Sequence, residues 1–250
     1  MMMRRVMGVL FSAILSAALV AQAEEGAGAK WENRINGGLN LTRGNSKNML
    51  LNAGAASERK GDANEVSLGA EINYGETEVK KDGEEYDETN VDNAKAFAKY
   101  RRLLDERNYV YLNGDVGRDE MADIRYRAIV GPGVGRYFLK GDKHTLSAEL
   151  GAGYVFEDVG GVEDDYAAAR VAQAYELKLG DGTRFWESVE YLPRVDDMSQ
   201  YLLNAEIGAE AAMTAKLSLR VVLQNKYNSE PAPDRDSNDL TLTAGVAYKL

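Results

Sequence analysis

The sequence predicts an all-β chain, an antiparallel transmembrane up-and-down β-barrel of roughly twelve strands. Three observations predict it. Segment after segment alternates apolar and polar residues, the two-residue period of a strand. Each segment approaches the ~9–11 residues that a tilted membrane strand needs, and no helical period of comparable length competes. The two ends of this pattern also match. Leu240, Leu242, Ala244, Val246, Tyr248 and Leu250 alternate with more polar or small neighbours, and residues 31–43 are equally strand-like. A free strand edge is a template for aggregation, so the last strand is expected to pair with the first.

Residues 1–23 read as an export signal. Arg4 and Arg5 precede the apolar run 6–20, and Ala21-Gln22-Ala23 supplies a small-residue cleavage site. The run is short for a transmembrane helix. Residues 24–250 are then the barrel domain, and loss of the two arginines takes the formal charge from −10 to −12 (−10 − 2). That acidic balance argues against nucleic acid as a partner, because no net positive field is present. The chain has no cysteine, which excludes disulfides, thiolate catalysis and thiolate metal sites. An exported, acidic, tyrosine- and glycine-rich chain of this kind is either a soluble periplasmic β-protein, such as a β-sandwich binding protein, or an outer-membrane barrel.

In order along the chain, residues 31–43 set Trp31, Ile35, Gly37, Leu39 and Leu41 against Glu32, Arg34, Asn36, Asn40 and Thr42. Gly44-Asn45-Ser46 makes a turn, since Gly and Asn tolerate positive φ. Residues 47–57 carry Met49, Leu51, Ala53 and Ala55 on the oily face, with Leu50 out of pattern, and 59–62 turns back. Residues 65–74 alternate most cleanly, and 76–89 reads as a charged loop. In 91–101 a weak face of Ala94, Ala96, Ala98 and Tyr100 opposes Lys95, Phe97 and Lys99. After a short return, 109–116 sets Val110, Leu112 and Val116 against Tyr109, Tyr111, Asn113 and Asp115. Residues 124–139 oppose Ile124, Tyr126, Ala128, Val130 and Val134 to Arg125, Arg127, Gly131, Gly133 and Gly135. Strands follow at 144–156 and 167–179, separated by an acidic loop at 157–165, and Gly180-Asp181-Gly182 is a hairpin turn. In 183–192 Glu187 and Glu190 fall on opposite sides, which leaves its faces unassigned; 201–211, 217–227 and the final strand alternate clearly.

Alternation alone does not say which face looks inward. Strand number decides: about eight strands make a barrel that side chains can fill, and larger barrels leave a lumen. Twelve strands with many Ala and Gly on the oily face would leave a soluble barrel hollow. The oily face is therefore expected to meet lipid, and the ionic face a wet lumen. The candidate lumen-facing charges are Arg125, Arg127, Glu149, Arg170, Glu206 and Arg220, with Glu71 and Glu210 beside them. Connections alternate between short (59–62, 103–108, 140–143, 180–182, 214–216) and longer (76–89, 117–123, 157–165, 193–199, 228–237), the pattern of periplasmic turns and extracellular loops. Trp31, Tyr74, Tyr109, Tyr137, Tyr154, Tyr201, Tyr227 and Tyr248 lie near strand ends, where interfacial aromatic girdles form.

Catalytic chemistry is sparse. A histidine base must stand beside its nucleophile or water, and the one histidine, His144, opens a strand after a short turn. The paired acids Glu84/Glu85, Asp87/Glu88, Asp164/Asp165 and Asp196/Asp197 lack calcium-loop spacing and read as solvated loop charge. No catalytic, cofactor-binding or metal residues are assigned, and no cofactor is expected. The alternative is an enzyme that acts on envelope lipid through those loop acids.

Several short motifs together resemble a known family. Trp31 leads a strand into Gly44-Asn45-Ser46. Arg118-Asp119 precedes Arg127 and the Gly131/Gly133/Gly135 run before Tyr137. Glu206-x-Gly208, the approach 231–239 and the terminal Tyr248-Lys249-Leu250 complete the set. The mature chain is similar in these respects to the salt-induced outer membrane proteins, a bacterial domain family of unknown function. The resemblance implies a barrel in the bacterial outer membrane, with no settled activity to carry over. The expected partners are outer-membrane lipid, lipopolysaccharide and the barrel-assembly machinery. The expected role is a structural barrel or small-solute channel.

Overall fold

The computed structural model describes residues 30–42, 48–81 and 84–250. The export segment and the Gly44-Asn45-Ser46 turn lie outside the described residues. Twelve antiparallel strands run up and down in sequence order and close into a barrel. They are β1 (Trp31–Thr42), β2 (Asn48–Lys60), β3 (Asn64–Lys81), β4 (Glu84–Leu103), β5 (Asn108–Asp119) and β6 (Ile124–Lys140). The second half is β7 (His144–Val159), β8 (Val162–Leu179), β9 (Thr183–Pro193), β10 (Tyr201–Ala212), β11 (Leu217–Asn228) and β12 (Asn238–Lys249). The seam joins β1 to β12, from Arg34 opposite Lys249 to Gly37 opposite Val246. No sheet edge is left over among these strands.

Hydrogen bonds identify the inner face. Lys99 on β4 reaches Glu149 on β7 at 2.7 Å, and Tyr137 on β6 reaches Glu65 on β3 at 2.6 Å. Arg170 on β8 reaches Tyr111 on β5 at 2.8 Å. The members of each pair stand three strands apart in the sheet. Side chains on the convex side of a curved sheet diverge, so such pairs can meet only on the concave side. The polar face therefore lines the interior. The opposite face carries Ile35, Leu39, Ile72, Leu150, Ile207 and Leu242, all exposed. An apolar belt that continues around a whole molecule is a surface for lipid. Registration also settles β9. Glu187 lies opposite Tyr175 and Ile207 on the outer face, and Glu190 opposite Ala172 and Asn204 on the inner one.

Two expected loops are largely strand instead, and a third is shortened. Residues 76–81 and 84–89 continue β3 and β4 past the belt, to 18 and 20 residues. The acidic stretch 157–165 is the tip of the β7–β8 hairpin, turning on Gly160 and Gly161 at φ 60° and 78°. Two consecutive left-handed residues suit a tight hairpin, and only glycine adopts them without strain. Of 117–123, only 120–123 leaves the ladder. The physical reason is common to all three. Above the lipid a strand needs no apolar face, so charged residues continue the ladder, as Arg127 does in pairing with Glu157 across it. The expected alternation of loop lengths survives at 194–200 and 229–237, and elsewhere a difference in wall height takes its place. Strands β3, β4 and β6–β8 have 16–20 residues, and β9–β12 have 11–12.

Interior aromatics lie flat on glycines of the neighbouring strand. A Cβ at Gly208 would fall within the ring of Trp186, one at Gly135 within Tyr109, one at Gly133 within Tyr111 and one at Gly69 within Phe97. Glycine on the inner face is therefore a seat for a ring, a pairing that pins strand register. Gly208→Ala is expected to lower stability by about 1–3 kcal/mol through overpacking. Gly37→Ala, whose Cβ would meet only Asn52 O at 3.6 Å, should cost distinctly less. Urea unfolding in detergent micelles, followed by tryptophan emission, checks both.

Candidate functional site

The interior is the candidate site, built in three tiers from the end that carries the termini to the opposite mouth. At the terminal end, Glu149 is the hub. It is 5% exposed and accepts hydrogen bonds from Lys99 (2.7 Å), Tyr109 (3.0 Å) and Arg170 (2.8 Å), with Arg101 at 3.5 Å. Arg170 also donates to Glu190 at 2.6 Å. Tyr137 donates to Glu65, and its ring sits 5.0 Å from that of Tyr109. Lys99 and Arg170 lie over the Tyr111 ring. A buried charge is costly unless paired and hydrogen-bonded. Here one carboxylate serves three cations, and the phenols take up part of the remaining bonding capacity.

Tyr109 and Tyr137 were expected in an aromatic girdle, and this is corrected. They are 1% and 7% exposed and lie inside the barrel. Parity explains it. Tyr109 shares its face with Tyr111, Asn113 and Asp115, and its hydroxyl finds a carboxylate there. A Tyr191, Tyr201 and Tyr227 cluster does stand on the outer face, with ring centroids 5.3 and 5.5 Å apart.

The middle tier is polar. A ladder of amides runs from Asn36 through Asn52 and Asn73 to Asn93, across β1–β4, with the last two bonds at 2.6 and 2.8 Å. Opposite it, Glu206 accepts from Trp186 Nε1 (2.5 Å) and Gln224 Nε2 (2.9 Å). Nearer the terminal end, Arg184 joins Glu210 (2.8 Å) and Glu176 (3.3 Å) and lies over the Trp186 ring, as does Arg220 from β11. Between these walls is a cavity of about 260 Å³ lined by Glu71, Lys95, Arg170, Glu190, Glu206 and Lys226, among others.

The far mouth is narrowed. Ile129, Val155, Ala168, Leu192 and Leu202 form an apolar cluster against one wall, with Tyr166 packed on it. Lys226 on β11 meets Asp119 on β5 at 3.6 Å, and those strands stand directly across the barrel from each other. Ala232, in the β11–β12 connection, is 3% exposed, and Pro233 Cδ lies 3.1 Å from a Cβ placed on Gly160 in the β7–β8 turn. That connection crosses part of the opening.

The six candidate lumen charges separate into groups. Glu149 and Arg170 meet in the hub. Glu206 and Arg220 stand in the middle tier about Trp186. Arg127 pairs with Glu157, and Arg125 with the buried Asp158, near the far rim; Arg125 itself is 62% exposed and joins no contact across the lumen. Sequence reasoning did not single out Lys99, Arg101, Tyr111, Trp186, Asp119 or Lys226 as site residues. Tyr111 carried a signal: it alternates onto the same face as the glycines of the next strand. The Asp119–Lys226 contact carried none, because alternation reports faces and not which strands confront each other. Removing the hub should be costly. Glu149→Ala is expected to lose about 3–5 kcal/mol by stranding buried cations, with Glu149→Gln in between. The urea concentration at which the folded, fast-migrating gel form disappears measures it.

The geometry has counterparts among known proteins. Among solved structures, the NanC porin superposes with a TM-score of 0.53 at 9% identity, over 88% of this chain and 100% of that one. The KdgM porin gives 0.47 at 8% identity, over 88% and 99%. At such identity the first likeness is one of fold. The uncharacterised protein YdiY of Escherichia coli (strain K12) is 24% identical over 249 residues, covering 96% of this chain and 94% of that protein. The profile of a family described as "Protein of unknown function, DUF481" matches residues 35–250, and the chain belongs to that family.

Proposed function

We propose that this chain is a bacterial outer-membrane barrel whose lumen is a narrow polar passage for small hydrophilic solutes. The observation that carries the reading is the polar cavity of about 260 Å³ inside a closed, oily-surfaced barrel, with the Asp119–Lys226 ion pair spanning its far side. A passage that conducts must hold its solute weakly and keep its walls wetted, and interior ion pairs leave the walls polar without a strong single-sign field. That the NanC porin shares this fold supports the reading. Residues 1–23 act in this reading as the export signal. The tall wall of β3–β4 and β6–β8 faces outward among lipopolysaccharide, and the barrel-assembly machinery inserts the chain.

The reading gives the barrel no catalytic role. His144 stands at the turn end of β7 with Nδ1 2.8 Å from the Tyr175 hydroxyl, far from the loop acids along the strand. Three of those acids are engaged: Arg194 pairs with Asp164 (2.5 Å) and Asp196 (2.8 Å), and Ser199 donates to Asp197 (2.7 Å). Hydrogen bonds from Arg194 to Asp196, and from Ser199 to Asp197, hold both carboxyls below the ordinary aspartate range. A general acid working near neutral pH needs the opposite shift.

Purified protein in planar bilayers is expected to give small, discrete conductance steps. Asp119→Asn combined with Lys226→Gln removes the tie across the mouth and should raise the unit step severalfold. Absence of steps from both proteins, with folding verified by gel migration, would overturn the passage.

A further inference from the structure

Among the described residues, every charged side chain that lines either of two neighbouring interior cavities has an ion pair or a hydrogen bond except two. Those are Glu71 on β3 and Arg220 on β11. Each has a neighbour of opposite charge in register, and each neighbour is engaged elsewhere. Lys95, opposite Glu71, stands 3.9 Å from Asp115. Glu210, opposite Arg220, is held by Arg184 at 2.8 Å. Arg220 has no carboxylate within ion-pair distance: the face of Trp186 lies 4.9 Å from its guanidinium carbon, and Glu206, Glu210 and Glu71 act on it only at longer range.

Glu71 and Arg220 line the same small cavity of about 30 Å³, with Asn36, Asn52 and Gln224. At Glu71 and Gln224 it adjoins the larger cavity, which both residues also line. A carboxylate and a guanidinium, neither in a direct ion pair or hydrogen bond, therefore share one polar chamber within electrostatic reach of each other. We propose that Glu71 and Arg220 are the two poles of a binding site for a small zwitterion that carries a carboxylate and an ammonium group. Arg220 presents a planar fork suited to a carboxylate, and its place over the Trp186 face uses none of the fork's donors in a hydrogen bond. Glu71 accepts the ammonium. The Asn36–Asn52–Asn73–Asn93 ladder forms a fixed amide wall beside them. An ion with one charge satisfies one pole and leaves the other unanswered, so the site discriminates against simple anions and cations.

The inference deepens the passage reading but needs only a water-accessible interior, so its test is a binding measurement independent of conduction. The chain has two tryptophans, Trp31 and Trp186. In a Trp31→Phe background, Trp186 reports on its Arg220 neighbour. Glycine, acetate and methylammonium are titrated separately into the full barrel in detergent micelles. The expected result is a saturable change in Trp186 emission with glycine, at about tenfold lower concentration than either singly charged ion requires. Glu71→Gln should reduce glycine to the level of acetate, and Arg220→Gln should abolish the response to both. Equal responses to glycine and acetate in the parent overturn the proposal without any site variant, as does undiminished glycine preference in a folded Glu71→Gln barrel. Binding without conductance would leave the site standing and remove only the passage.

Discussion

Backbone hydrogen bonding in the absence of water is the constraint on which this molecule rests. In hydrocarbon an unpaired peptide group costs several kcal/mol, so a sheet can cross a bilayer only if it has no edge. Pairing of β1 with β12 meets that condition. Glycines make the seam possible: a Cβ on Gly38 or on Gly245 would collide with the backbone across it. Once the sheet is closed, the two-residue period of every strand fixes two surfaces at once, and the identity of each is decided by solvent.

The inner surface then faces a second constraint. Twelve strands enclose more space than side chains of ordinary size fill, yet the ionic groups inside must not be stranded. The barrel resolves this by linking strands that are not neighbours. Glu149 gathers cations from β4 and β8, Glu65 accepts from β6, and Asp119 meets Lys226 across the full width. Aromatic rings lie flat against glycines, so they brace the wall without occupying its centre. What is left open is a polar chamber between the hub and the mouth, and the two unpaired charges lie on its walls.

The strands were legible because each buries one face in lipid and wets the other, and that leaves period two in the residues themselves. Even the ambiguous segment 91–101 follows the rule, with Lys95, Lys99 and Arg101 inward and alanines outward. Legibility ended where lipid ended. The upper parts of β3–β4 and β7–β8 are charged on both faces, so nothing in their pattern separates strand from loop. Tyr109 and Tyr137 show a different limit. Position near a strand end pointed to the girdle, whereas face parity, the stronger signal, pointed inward. The candidate site was partly readable: Glu149, Arg170, Glu206 and Arg220 could be placed on the polar face. Their partners could not, because contacts between β4 and β7 or β5 and β11 depend on barrel curvature, which no local pattern encodes.

The central claim is that the oily face of the closed sheet meets lipid and the ionic face meets water. The absence of native cysteine allows a clean test with single nitroxide labels at adjacent positions on β12, Leu242→Cys and Thr243→Cys. In vesicles, the label at 242 should collide with oxygen dissolved in the bilayer and be shielded from a water-soluble nickel chelate, and the label at 243 should show the reverse. Equal aqueous exposure of both labels, or an inverted pattern, would contradict the account.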